Sequence, residues 1–104
     1  MTIDRLCCFV TAVKHMNFTR AAAELHMAQT AMSRQIAMLE SELDCRLFDR
    51  SNRTIQLTPA GKCFFDGISP LLKNYDKIVK ETQMVGKRLA GELRIGIGQY
   101  EQSF

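Results

Sequence analysis

From Phe64 to Leu89 the chain repeats one apolar seam: Phe64, Ile68, Leu71, Tyr75, Ile78, Thr82, Val85 and Leu89. The steps are four, three, four, three, four, three and four, and Thr82 alone is neither apolar nor aromatic. A period of about 3.5 residues, held over more than three heptads, belongs to a long helix buried along one stripe. A helix of that length cannot bury its seam on a small domain alone. The pattern therefore points to pairing with a second copy of itself. A helix folded back on its own domain is the alternative. Thr58-Pro59 marks the start, a capping hydroxyl followed by Pro at the first helical position. Pro70 lies inside the pattern and predicts a kink or the end of a first segment. Gly61 and Gly67 weaken the first turns, and Gly86 and Gly91 flank the expected exit. A dimerisation helix over residues 59–90 follows.

Residues 1–58 supply what such a helix would carry. Within them, Thr19 to Leu43 reads as two short helices joined by a tight turn. Met32, Ile36, Leu39 and Leu43 recur at steps of four, three and four, which sets them on one helical face. The opposite face carries Thr30, Ser33, Arg34, Ala37 and Ser41. Small and hydrogen-bonding groups with one Arg suit close approach to another macromolecule, whereas a plain solvated face would be richer in Lys and Glu. An ordinary amphipathic surface helix remains the alternative. Upstream, residues 2–16 predict a supporting helix. It has Thr2 as cap, Asp4 in the first turn, the stripe Leu6, Phe9, Val10 and Val13, and Lys14 and His15 at the carboxyl end. Thr19 is the expected N-cap of a helix over Arg20 to His26, worth about 1 kcal/mol against Ala. Ala21, Ala22 and Ala23 favour helix and close packing, and Leu25 is the one large anchor. The break at Met27-Ala28 lacks the Gly common in such turns. Gln29 or Thr30 then opens the third helix, whose amide groups, dipole and hydroxyl suit a phosphate.

After Leu43, Leu47 and Phe48 form an apolar anchor and Arg50-Ser51-Asn52-Arg53 is a turn signal. Thr54-Ile55-Gln56-Leu57 alternates as a short strand does. Arg46–Phe48 and Thr54–Leu57 predict a hairpin with Ser51–Asn52 near its tip. A hairpin with Arg50 and Arg53 behind a helix pair is a wing, placed to reach phosphates or a narrow minor groove. A merely solvated hairpin is the alternative. Beyond the long helix, Glu92 to Gly98 alternates like a strand without a partner strand. An isolated strand is unstable, so residues 91–104 are expected to begin a second domain. Gly96-Ile97-Gly98 is too weak a pattern for a nucleotide site, since no helix follows.

The fold class is thus mainly α: three helices and a small β-hairpin wing, then a long helix. Composition adds exclusions. The chain has 104 residues, 46% of them apolar, enough for one small core. Its net charge is +3, with seven basic against six acidic residues in 1–58 and seven against five in 59–104. Any nucleic-acid footprint must come from where charge is placed. Cys7, Cys8, Cys45 and Cys63 form no C-x-x-C pair, and His15 and His26 complete no ligand set. No metal and no cofactor are expected, and the thiols read as reduced, small core hydrophobes. No apolar run approaches the ~20 residues of a membrane span, and Asp4 and Arg5 interrupt any signal-peptide core. A cytoplasmic protein without a membrane partner is expected. No paired carboxylates, nucleophile–base pair or phosphate loop points to an enzyme.

The text FVTAVKHMNFTRAAAELHMAQTAMSRQIAMLESELDCRLFDRSNRTIQLTPAG, followed by GELRIGIG, resembles the LysR-type transcriptional regulators of bacteria over essentially the whole chain. The resemblance implies an N-terminal winged helix-turn-helix that binds double-stranded DNA. It also implies a linker helix that makes a homodimer, with a tetramer left open for the longer protein. A C-terminal effector-binding domain of periplasmic-binding-protein-like fold would follow, only its first strand, around Leu93–Gly98, being present. A small-molecule effector would act through that missing part. Carried over position by position, Gln29, Thr30, Ser33 and Arg34 would read or clamp the major groove. Arg53 would enter the minor groove, and Thr19, Arg20 and Arg50 would contact the backbone. Two departures stand out. Ala28-Gln29-Thr30 replaces the family's common Ser-Gln-Pro or Ser-Gln-Ser, and Asp44 stands near where the family favours Gly. Operator sequence, target genes, direction of regulation and effector identity are not legible.

Overall fold

Thr2 starts the first helix: its hydroxyl accepts the Arg5 N–H at 3.1 Å, and Asp4 follows in the first turn. The computed structural model describes residues 1–93. Its elements are α1 (Ile3–His15), α2 (Phe18–Glu24), α3 (Gln29–Leu43), β1 (Phe48–Asp49), β2 (Gln56–Leu57) and α4 (Pro59–Leu93). Two units are distinguished, residues 1–72 and residues from Lys73 onward.

In the first unit α1, α2 and α3 pack on one another. The cap of α2 is not Thr19. Asn17 Oδ1 accepts the Arg20 N–H at 2.9 Å, and Thr19 lies inside the helix. Starting the helix at Phe18 buries that ring, which meets Phe48 edge-on at 5.2 Å. The helix also stops before His26. His26 takes a left-handed φ of 56°. Its N–H then reaches the Ala23 carbonyl and the Met27 N–H the Ala22 carbonyl, a Schellman closure. Helix α3 ends the same way: Asp44 has φ 55°, its N–H reaches Ser41 O and the Cys45 N–H reaches Glu40 O. As the spacing requires, Met32, Ile36 and Leu39 are fully buried and Leu43 is half-buried.

The hairpin is shorter than Arg46–Phe48 with Thr54–Leu57. Its antiparallel register is Phe48 with Leu57 and Asp49 with Gln56. Arg46 and Leu47 are diverted from the ladder because Thr58 takes both carbonyls, Arg46 O through its hydroxyl at 2.6 Å and Leu47 O through its N–H at 3.0 Å. The same hydroxyl caps α4 by accepting the Gly61 N–H at 2.9 Å. A Cβ at Gly61 would run into the Leu47 carbonyl, so this glycine is needed for close approach. Phe9 sits at the centre of the core, fully buried, with Phe64 at 5.3 Å, Phe48 at 5.6 Å and Phe65 at 6.4 Å.

Two expectations for α4 change. Pro70 does not end it, and Gly86 and Gly91 lie within it. Glu92 and Leu93, expected to open a strand, are helical; residues 94–98 of that strand lie outside the described residues. The seam also divides. Phe64 and Ile68 are half-buried against the core of their own unit, together with Phe65 and Leu72. Leu71, Tyr75, Ile78 and Val85 are 63%, 48%, 54% and 53% exposed, Thr82 is exposed and Leu89 half-buried. The thiols divide too. Cys8 is buried, and burial pushes its thiol up, but Cys45 and Cys63 are exposed rather than core residues. Among the described residues no helix is long and apolar enough to cross a membrane.

Candidate nucleic-acid interface

Burial of Met32, Ile36 and Leu39 forces the other side of α3 outward. Gln29, Thr30, Arg34, Ala37 and Ser41 are exposed and Ser33 is half-exposed. Gln35, between them in sequence, turns instead toward α1, where its Oε1 accepts from Arg5 Nε at 3.0 Å. The helix begins at Gln29 behind Ala28, which makes no side-chain cap. The first-turn amides therefore face outward without a capping oxygen, beside the Gln29 and Thr30 side chains.

Charge is sorted along the same surface. Arg5 is spent on the scaffold, its Nη1 2.6 Å from Glu42 Oε1. The Met1 ammonium at 2.7 Å and then that guanidinium hold the Glu42 carboxyl below the usual range. His15 meets Glu24 at 2.7 Å. By contrast, among the described residues no carboxylate lies within ion-pair distance of Arg20 on α2, Arg34 on α3 or Arg53 in the hairpin turn. All three are exposed.

Arg50 behaves differently from Arg53. Its guanidinium lies over the Phe18 ring, 4.5 Å from the centroid. This contact brings the base of the wing beside the first turn of α2, where Thr19 and Arg20 follow Phe18 and are both exposed. The expected site residues of α2 and Arg50 are thus brought together, whereas among the described residues no hydrogen bond, ion pair or ring contact joins Arg53 to them. Asp49 Oδ1 accepts from Ser51 Oγ at 2.7 Å and Ser51 N at 2.9 Å, so the chain turns immediately after β1. These two bonds, the hydroxyl's foremost, hold the Asp49 carboxyl below the ordinary aspartate range.

One residue of consequence is absent from the expected set. Glu40 is buried and its Oε2 accepts the Leu47 N–H at 2.7 Å and the Phe48 N–H at 3.2 Å. The signal was available: Glu40 falls four residues after Ile36 and beside Leu39, on the edge of the apolar stripe.

Comparison with known proteins places these features. The family model described as "Bacterial regulatory helix-turn-helix protein, lysR family" matches residues 3–62. The chain is 40% identical over 88 residues to a probable cat1 operon transcriptional activator of Acinetobacter lwoffii, covering 85% of this chain and 29% of that protein. It is 38% identical over 96 residues to the HTH-type transcriptional regulator BenM of Acinetobacter baylyi, covering 92% of this chain and 31% of BenM. The chain thus spans less than a third of the length of these relatives. A crystal structure of the BenM DNA-binding domain with catB site 1 DNA superposes with a TM-score of 0.78 at 38% identity. The match covers 83% of this chain and 97% of that one.

Proposed function

The chain belongs to the LysR family of bacterial regulatory helix-turn-helix proteins, and from that membership we propose that it binds double-stranded DNA sequence-specifically, as a homodimer on an inverted repeat, to regulate transcription. The observation that carries this is the exposed α3 face with Arg34 on it, together with exposed Arg20 on α2 and Arg53 in the hairpin turn, three cations with no carboxylate partner among the described residues. A net charge of only +3 makes their placement the relevant quantity. The solved BenM domain being a complex with DNA supports the same reading.

In this proposal α3 lies in the major groove. Gln29 and Arg34 read base edges, amide to adenine and guanidinium to guanine. Thr30 and Ser33 clamp alongside them, and the open first-turn amides of α3 take a phosphate. Thr19, Arg20 and Arg50 hold the backbone, Arg50 from its seat on Phe18, and Arg53 reaches the minor groove. Residues 1–58 form the reading unit and α4 the dimer element, through Leu71, Tyr75, Ile78, Thr82, Val85 and Leu89. Phe64 and Ile68 serve both their own core and the edge of that interface. The family is one of transcriptional regulators, and no catalytic step is assigned to the chain. It acts in the cytoplasm, where the DNA is.

The test is an anisotropy titration against duplex selected from random sequence, at two salt concentrations. Counterion release makes affinity fall steeply as salt rises. Arg34→Ala should weaken selected-site binding by roughly 1–3 kcal/mol while leaving the melting temperature in place. Equal affinity of that variant for the selected duplex would remove Arg34 from the reading surface.

A further inference from the structure

Glu40 places a carboxylate where α3 meets almost no water; its side chain is 10% exposed. Burying a carboxylate is costly unless it is hydrogen-bonded, and here Oε2 is. Oε2 accepts two successive amide protons, Leu47 N–H at 2.7 Å and Phe48 N–H at 3.2 Å. Arg46 Nε stands 4.0 Å from the same oxygen. The main-chain carbonyl of Glu40 also accepts from Asp44 and Cys45. One residue therefore receives the amides of Asp44, Cys45, Leu47 and Phe48 between the end of α3 and β1. The other ties of the hairpin lead elsewhere: Thr58 binds Arg46 and Leu47 at the head of α4, and Arg50 rests on Phe18 of α2. Among the described residues, the Glu40 carboxylate makes the only hydrogen bonds from the hairpin to α3.

We propose that Glu40 is the positioning residue of the wing: its carboxylate, by holding the Leu47 and Phe48 amides, sets where the hairpin stands relative to the exposed face of α3, and thereby whether Arg53 contributes to DNA affinity. The inference rests on the DNA-binding reading above. It differs from a purely structural role because it couples one residue of α3 to one residue of the wing. Glu40 itself touches no DNA in this account; its effect passes through the wing. Apolar packing of α3 would be equally served by Leu or Met at position 40, but neither would accept the two amides. A charge-assisted bond to backbone N–H is short and directional, which suits fixing a register rather than filling a space.

The experiment is a double-mutant comparison on a labelled duplex selected from random sequence by the wild-type chain, read by anisotropy with helicity checked by circular dichroism. Glu40→Asp keeps the charge and shortens its reach by one methylene, withdrawing it from both amides. Glu40→Gln keeps the reach and one carbonyl oxygen. In the wild-type background Arg53→Ala should weaken binding about tenfold. In Glu40→Asp the same change should cost less than about twofold, because the wing is already displaced, and Glu40→Gln should restore most of the Arg53 effect. Arg34→Ala should cost the same in all three backgrounds. An equal Arg53 effect in wild type and Glu40→Asp overturns the proposal, as does an Arg53→Ala variant that binds like wild type. Should Glu40→Asp not fold, the comparison is made between wild type and Glu40→Gln with hydrogen exchange at Leu47 and Phe48. Unprotected amides in the wild type then overturn the proposal. Failure of the underlying reading looks different: the wild-type chain would select no duplex at all.

Discussion

Asp49 holds Ser51 twice, through hydroxyl and amide, and so fixes the first bend after β1 with a group open to water. Its carboxyl is depressed first by the Ser51 hydroxyl, then by the Ser51 N–H. A depressed carboxyl adds stability that is complete above the unfolded value and fades as the pH falls through the folded one. The bend is therefore expected to loosen only in acid, below the ordinary aspartate range, and not near neutrality. Ser51→Ala removes the larger of the two bonds and should move the Asp49 midpoint upward, toward its ordinary value, in a carboxyl-detected NMR titration. An unmoved midpoint would mean that the hydroxyl points elsewhere in solution. At this scale the sequence is informative about residue type and blind to partner. Arg50 and Arg53 read alike in a string of polar turn residues. Only the fold shows that one is stacked on Phe18, thirty-two residues away in sequence, while the other has no such seat.

The helices and the hairpin show why spacing is a better guide than punctuation. The buried faces of α1 and α3 follow from periodicity, since a stripe of large apolar groups has one way to face a core. The ends do not. Asn17 and Thr19 are both good caps, and the choice between them turns on burying Phe18 against Phe48, a contact across thirty residues. Spacing puts Glu40 at the edge of the buried stripe but does not name its partners, because the amides that satisfy it come from a later loop. Both turns that close α2 and α3 use a left-handed residue with a side chain, His26 and Asp44. Such a conformation strains an L-residue and is free for glycine, which in turn gives up more chain entropy. His26→Gly and Asp44→Gly are each expected to gain roughly 0.5–1 kcal/mol net, seen as raised thermal midpoints. Lowered midpoints would show that the existing side chains make up the strain. At Gly61 the sign is opposite. An added methyl meets the Leu47 carbonyl, and Gly61→Ala should lose about 1–3 kcal/mol despite better helix propensity. A gain from that change would mean that the first turn of α4 stands further from Leu47.

The whole molecule is defined by what α4 leaves uncovered. Beyond Lys73 the helix carries the i,i+4 pairs Asp76–Lys80 at 3.0 Å and Lys77–Glu81 at 3.9 Å. Exposed pairs of this kind contribute about 0.3–0.5 kcal/mol each, and isolated helices of modest length are marginal in water. Leu71, Tyr75, Ile78 and Val85 meanwhile face solvent. Covering them with the same face of a second copy removes apolar area from both at once, and a two-fold interface repeats every contact. Dimer and helix should therefore form together. On dilution, sedimentation should show dimer passing to monomer while the far-UV helical signal falls. Ile78→Glu puts a charge in the middle of the seam and should give a monomer at concentrations where wild type is dimeric. The core around Phe9 should still melt cooperatively, because position 78 lies outside it. Binding to a two-half-site duplex should weaken far more than binding to a single half-site, since only the former uses both copies. A dimeric Ile78→Glu would place self-association on another surface. A monomeric variant with unchanged affinity for the full site would separate dimerisation from recognition.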